Sequence, residues 1–410
     1  MSALASAAPV ERSRTNAPAA IACGGLVVAL LVAVLGARHA SPSAVSPVVP
    51  AHEPWRSLWA WGVAAAFILY VAGTWLVQSR TFSLRAALAV AVVVQALPLA
   101  GPLLLSNDAF LYWSNARIEI VHGASPYRST ADDYPTDPAH GYVSQIWLDE
   151  TTDYGPVWEA VGTIPAAAAG TSAHRAELAY RALALLGVLG AVFIVARRTR
   201  SARAVALLGW SPVIALHYAG GGHNDALMAA LLVLAVASPL SAKGGAAWSL
   251  AGGFKAVPAI LFPLELAARR LHAPRRWWAS LVGTAAVISV GATVAFGPHW
   301  ISASIAGAHQ ESPLGGVHWL TELGLRHRYA VLIGGLVFVA IYLVLLRSAW
   351  RTGRARLSLA ATALCLTSSL LRPWYALWPL ALAAVEDDGL AAFAAVALSA
   401  YVLFADAIVL

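Results

Sequence analysis

The chain has 410 residues, of which 59% are hydrophobic and only 11% charged, with a formal net charge of +7. Soluble domains carry about 25% charged residues, so lipid is expected to be the solvent for most of this chain, and its positive charge need not mark a nucleic-acid partner. The two cysteines, Cys23 and Cys365, both lie inside apolar runs, so neither a disulfide framework nor a thiolate metal site is indicated.

Apolar runs recur from end to end, many of them near the ~20 residues that cross a ~30 Å hydrocarbon core as a helix. About thirteen membrane segments are predicted, near 19–37, 58–77, 86–105, 177–196, 204–218, 224–240, 245–253, 256–268, 277–297, 329–347, 357–371, 374–385 and 390–409. The first follows Arg12 and Arg14 but is long for a signal peptide and has no clean small-x-small cleavage site after it, so it reads as a retained anchor. Segment 38–57, rich in Pro and Ser, reads as a plain outer loop.

The most informative stretch comes next. Residues 106–159 set nine acidic side chains against two arginines, among many Tyr and Trp. Within the same loop, 155–170 is apolar enough to cross. If it crossed, the basic clusters at 197–203, 269–276 and 347–356 would all lie outside. If it lies along the outer surface, 17 of the 27 basic residues and only 5 of the 20 acidic ones are cytoplasmic, as the positive-inside rule requires. The non-crossing reading is therefore adopted, with the N-terminus cytoplasmic and 106–176 a large outer loop carrying juxtamembrane helices.

Farther on, 245–268 is barely long enough for one crossing, yet Lys243 and Arg269/Arg270 both belong inside. The break at Gly252-Gly253-Phe254-Lys255 predicts two half-length helices meeting near the outer leaflet, a geometry tolerated only where it lines a protein or aqueous cavity. A single crossing with Lys255 snorkelling is the alternative. Residues 298–328, with four histidines, form a second outer loop. Neither an internal repeat nor a soluble domain is apparent. The prediction is an all-α, polytopic membrane bundle forming one integral domain over 1–410: three N-terminal helices (19–105), the outer loop (106–176) and the remaining helices (177–410).

This threading brings Asp108, His223-Asn224-Asp225, Lys255 and Arg372-Pro373-Trp374-Tyr375 to one face. An ionised residue inside a membrane costs about 2.5–3.5 kcal/mol, so Asp225 and Lys255 need partners or a function. Structural roles are also open. Asp108 could cap a helix starting at Ala109, His223 or Asp225 could cap the sixth helix, Lys255 could pair with Asp225, and Arg372 could mark an interface. The charge logic favours a shared site. A phosphate leaving group needs cations, which Lys255, His223 and Arg372 supply, whereas an attacking hydroxyl needs a general base, which Asp108 supplies. One base and one displacement would invert the anomeric centre. Tyr112, Tyr154 and Trp158 are candidates for stacking on sugar. No spacing supports a defined metal site, and no cofactor is expected.

The order of Asp108, SPY, YGPVW, GGGHNDALM, FKAVPAILFPL and RPWYALWPL over about residues 100–385 resembles the GT-C membrane glycosyltransferases. It is most similar to the polyprenol-phosphomannose-dependent α-mannosyltransferases of actinobacteria and the related family 87 proteins. The resemblance implies a GT-C bundle in the plasma (inner) membrane that takes a polyprenyl-phosphate hexose, most simply mannose, on its extracytoplasmic face. The acceptor would be a glycan or glycolipid hydroxyl. It also implies that Asp108 is the base, that Lys255 meets the donor phosphate, and that His223, Asn224 and Asp225, with Trp374 and Tyr375, belong to the substrate site. The pattern would have glutamine where Arg372 stands. The rival readings are an O-antigen-type polymerase or ligase, which should carry an arginine-rich outer loop, and a lipid or glycan transporter, which should show repeated halves.

Overall fold

The computed structural model describes residues 17–40, 55–77, 82–306 and 310–405. Arg12, Arg14 and most of the 38–57 loop lie outside these residues, as do the last positions of the final predicted segment.

Among the described residues the protein is helical, with no strand element. In chain order the helices are α1 (Ala17–Ala40), α2 (Trp55–Leu76), α3 (Leu84–Ala96), α4 (Asp108–Ile120), α5 (Pro156–Ala169), α6 (Ala173–Thr199), α7 (Ala202–Gly209), α8 (Pro212–Tyr218) and α9 (Asp225–Ala237). They continue as α10 (Ala242–Gly252), α11 (Val257–Ala268), α12 (Arg275–Phe296), α13 (His299–Ala306), α14 (Gly316–Glu322), α15 (His327–Thr352), α16 (Leu357–Thr367), α17 (Leu377–Glu386) and α18 (Gly389–Leu403). Five of them, α1, α2, α6, α12 and α15, are long and apolar enough to cross a membrane. The others are shorter, and local chemistry explains where several of them stop.

Helix α3 ends before the predicted 105 because Pro98 removes a backbone donor and clashes with the preceding turn. The chain then tightens into a 3-10 turn over Leu97–Ala100. The predicted segment 204–218 is two helices, α7 and α8, because Pro212 cannot continue α7 and the Ser211 hydroxyl caps α8 by accepting from the Ile214 amide. Helix α5 has 14 residues, about 21 Å of rise, too little for a hydrocarbon core. The 245–268 stretch is indeed broken, with α10 and α11 meeting at residues 253–256.

Small residues set the packing. Gly62 of α2 lies against Ala29 and Ala33 of α1, where an added Cβ would come within 2.9 Å of backbone. Gly187 of α6 does the same against Ala226 of α9, at 2.8 Å. Such contacts let helix axes approach closely, the usual solution where lipid supplies no hydrophobic drive. The α6–α9 contact also fixes the start of α9, and with it Asp225, against the central helix.

The two ends of the bundle differ in charge. At one end α6 finishes in Arg197 and Arg198, with Arg200 just past its end, and the 351–356 segment meets the end of α17. There Arg354 donates to the Glu386 carbonyl at 3.5 Å, and Arg356 pairs with Asp388 at 3.1 Å. Arg203 shares a surface groove with Asp387 and Asp388. At the other end, near the start of α6, the buried Arg181 donates to the carbonyls of Pro98, Gly101 and Ala219 and pairs with Glu177 at 2.7 Å. A guanidinium has five donors and no acceptor, so this one side chain ties three chain segments into a floor. The functional residues stand on that floor.

Candidate active site

Asp108 is placed by the strand of irregular backbone between α3 and α4. The Leu104 amide donates to the Gly220 carbonyl at 3.0 Å, and Leu105 adopts φ +63°, a conformation that costs a branched L-residue of order 1–3 kcal/mol. The Asp108 amide donates to Ser106 Oγ at 3.1 Å. Asp108 is the first helical residue of α4, with Asn107 at the cap position and no side-chain cap bond. Its carboxylate is thus not spent on capping. Asp108 Oδ2 lies 3.3 Å from His223 Nδ1.

His223 reaches that position through the triple glycine. A Cβ at Gly220 would overlap the Leu216 carbonyl, and Gly222 turns at φ +81°, a left-handed conformation open to glycine. The His223 ring is fully buried and lies flat on Trp374, with centroids 3.7 Å apart at 16°. Burial alone would raise the Asp108 pKa. The nearby His223 imidazole, with Ser106 and Arg372, outweighs it and holds the carboxyl below its ordinary value. Asp108 is therefore a charged acceptor at neutral pH.

Lys255 stands at the break between α10 and α11. Its Nζ is 3.1 Å from Asp225 Oδ1 and 3.3 Å from Oδ2, and Trp378 Nε1 donates to the same Oδ1 at 3.0 Å. The ammonium also lies over the Tyr375 ring at 4.8 Å and near the rings of Tyr154 and Trp378. The pairing with Asp225 is thus real. It still leaves capacity, since an ammonium has three donors and this side chain remains 21% exposed.

The outer loop docks onto that break through backbone. The amides of Gly155 and Val157 donate to the carbonyls of Phe254 and Gly253, each at 2.9 Å, and a Cβ on Gly155 would overlap the Gly253 oxygen. The glycine of YGPVW is required by this close approach.

Between these elements lies a cavity of about 580 Å³. Of the eleven residues singled out in the sequence, its wall contains Asp108, Tyr154, Lys255, Arg372, Trp374 and Tyr375. The other five, Tyr112, Trp158, His223, Asn224 and Asp225, are buried behind it. Tyr112 packs edge-on against Tyr154 and Trp158, with centroids at 5.3 and 4.9 Å. Of those three aromatic rings, Tyr154 belongs to the cavity wall. His223 sits behind Asp108 and against Trp374, and Asp225 sits behind Lys255. Each charged residue on the wall that the sequence pointed to at these two places has a buried partner that orients it.

Sequence reading missed Asn115, Glu150, Asp153, Trp147 and Gln310, all on the same wall. Asn115 carried a usable signal, since it follows Asp108 by two helical turns and so shares its face. Asp153 directly precedes the YGPVW segment. Gln310 carried none. Among the described residues, no group of three or more His, Cys, Asp or Glu side chains is placed to hold a metal ion.

An all-helical bundle with long apolar helices, in which Asp108 shares a cavity with two cations, Lys255 and Arg372, beside a broken helix pair, has the design of a GT-C membrane glycosyltransferase. The chain belongs to the alpha-(1->6)-mannopyranosyltransferase family, whose N-terminal domain profile matches residues 19–270. Alpha-(1->6)-mannopyranosyltransferase A of Corynebacterium glutamicum is 29% identical over 170 residues, covering 39% of this chain and 34% of that protein. A probable alpha-(1->6)-mannopyranosyltransferase of Mycolicibacterium smegmatis is 30% identical over 149 residues, 33% of this chain and 25% of its own. Alpha-(1->6)-mannopyranosyltransferase A of Mycobacterium tuberculosis is 26% identical over 349 residues, 74% of this chain and 66% of its own. The matches therefore span from a quarter to about two thirds of these relatives. No solved structure matches the chain.

Proposed function

We propose that the protein transfers mannose from a polyprenyl-phosphate donor to a hydroxyl of a glycan or glycolipid on the extracytoplasmic face of the plasma membrane, with inversion, forming an α-linkage. The observation that carries this reading is the shared cavity, in which Asp108 on one wall element faces the same space as Lys255 and Arg372. The relatives' names supply mannose and the α-(1→6) linkage.

In the reaction, the acceptor oxygen attacks the anomeric carbon as its proton passes to the Asp108 carboxylate. The bond from the anomeric carbon to the phosphate oxygen breaks, and its electron pair leaves with the polyprenyl phosphate. That leaving group is a stable anion and needs no acid. Lys255 and Arg372 stabilise its growing charge, and Asp225 keeps the Lys255 ammonium charged and aimed. His223, gripped between Asp108 and Trp374, holds the carboxylate in one rotamer and lowers its pKa. Enzymes gain about 10²–10⁴-fold from such a positioned base.

Sidedness fits the same reading. The arginine-rich end of α6 lies 27 residues from its start beside the site, about 40 Å along the axis. With the arginines cytoplasmic, the cavity opens outside. The test is to supply protein-containing membranes with radiolabelled β-mannosyl phosphopolyprenol and a mannoside acceptor. Label should enter the acceptor and resist β-mannosidase while yielding to α-mannosidase. No label in the acceptor, or a β-linked product, would overturn the proposal.

A further inference from the structure

Asn115 carries a polar group with nothing to bind. The residue is 4% exposed, and its Nδ2 has no hydrogen-bond partner among the described residues, yet it forms part of the cavity wall. Leaving a buried amide unpaired costs about 1–3 kcal/mol, a cost that a ligand oxygen would remove. Asp108, Leu111 and Asn115 are spaced three and four residues apart along α4 and all line the cavity. A ligand meeting Asn115 therefore lies along the same helix face as the base.

Asp153 stands on the same wall. Its Oδ2 accepts from Gln310 Nε2 at 3.3 Å, and a carboxylate can accept about four such bonds. The backbone on both sides of it is anchored, at Thr152 and at Gly155. Thr152 donates its amide to the Pro126 carbonyl at 3.0 Å and its hydroxyl to Glu159 at 2.6 Å. On the other side, the Gly155 amide is fixed on Phe254. The carboxylate is thus held in place before any ligand arrives. Trp147, half-buried, adds an aromatic face, and Glu150 adds a second negative charge.

An amide donor, a fixed carboxylate acceptor and an aromatic face match the hydroxyls and C–H face of a sugar. Two acids on this wall disfavour an anionic acceptor. We propose that Asn115, Asp153 and Trp147 form the acceptor subsite, which takes a neutral saccharide, with Asp153 selecting the hydroxyl turned toward Asp108. This rests on the transferase reading above.

The test uses the full-length protein in lipid vesicles, with β-mannosyl phosphopolyprenol and octyl α-mannoside. N115A and D153N should each raise the acceptor KM at least tenfold, with donor KM and kcat at saturating acceptor within about threefold of the parent. D153N should also spread transfer over more than one acceptor hydroxyl. The D153N substitution is isosteric, and an unchanged unfolding temperature would show that the fold survives. An unchanged acceptor KM, or a loss confined to kcat or to the donor KM, would overturn the subsite. Direct mannoside binding, followed by saturation-transfer NMR, separates the two proposals. Absent transfer with mannoside binding that N115A abolishes would sink the transferase reading alone. Absent mannoside binding by the parent protein would sink this inference.

Discussion

Lys255 and Asp225 meet at 3.1 Å across the start of α9 and the α10–α11 break, and this pair separates a structural account of the lysine from a functional one. Removing one partner of a buried pair leaves an uncompensated charge, which costs roughly 3–5 kcal/mol where burial is complete. The lysine is partly exposed, so K255A is expected to cost less than that range in stability and to weaken donor affinity at least tenfold. The double variant K255A/D225A should recover most of the stability and none of the affinity. Recovery of both would leave the lysine a purely structural role. Unfolding temperature and donor titration on the three proteins make the comparison.

His223 predicts a pH effect. A carboxyl held below its ordinary pKa keeps its charge as the medium becomes more acidic, so activity should survive below the usual carboxylate range. In H223Q the main lowering contact is gone and burial of Asp108 is left opposed more weakly. The acid limb of the kcat profile should then move to higher pH, with the alkaline limb in place. An unmoved acid limb would show that His223 does not tune the base.

Glu159 predicts a stability effect of the opposite sign. Burial, with Glu119 and Asp153 adding to it against the Thr152 hydrogen bond, pushes its pKa from 4.5 up to about 8. Between those values the folded protein retains a proton that the unfolded chain has lost, so this residue makes stability fall as pH rises. E159Q keeps an oxygen for Thr152 and removes the titration. Its unfolding temperature should fall less between pH 5 and 8 than that of the parent, and equal slopes would contradict the assignment.

Gly155 predicts a steric effect. Because a Cβ there would overlap the Gly253 carbonyl oxygen, G155A should force the outer loop off the helix break at about 1–3 kcal/mol. Lys255 and Tyr154 would separate as a result. Protease nicking of the loop and transfer activity would both report it, and G155A with parental protection and turnover would refute the docking role.

Much of this was readable in the residues themselves. Gly252-Gly253 with Lys255 marked the broken helix, and charge sorting kept 155–170 out of the membrane count. Asp108, Arg372 and the Trp374-Tyr375 pair could be found because polar residues at helix ends stand out against so apolar a chain. Depth could not be read. Nothing local says that His223 and Asp225 point at Asp108 and Lys255 from behind, because that order comes from the Gly222 turn and from the small-residue contact between α6 and α9. The loop wall was hidden for a related reason. It is held by long-range bonds such as Asp132 to Leu148 and Thr152 to Pro126, for which no periodicity gives a signal. Pro98 and Pro212 were visible, but how far they would shorten the helices around them depended on tertiary partners.

The central claim is that Asp108 removes the acceptor proton within a cavity whose cations hold the donor phosphate. Single-turnover transfer by D108N, with donor affinity measured in the same vesicles, tests it most directly. A fall of 10²-fold or more in transfer with donor affinity unchanged is the predicted result. Transfer by D108N at a rate close to that of the parent would contradict it.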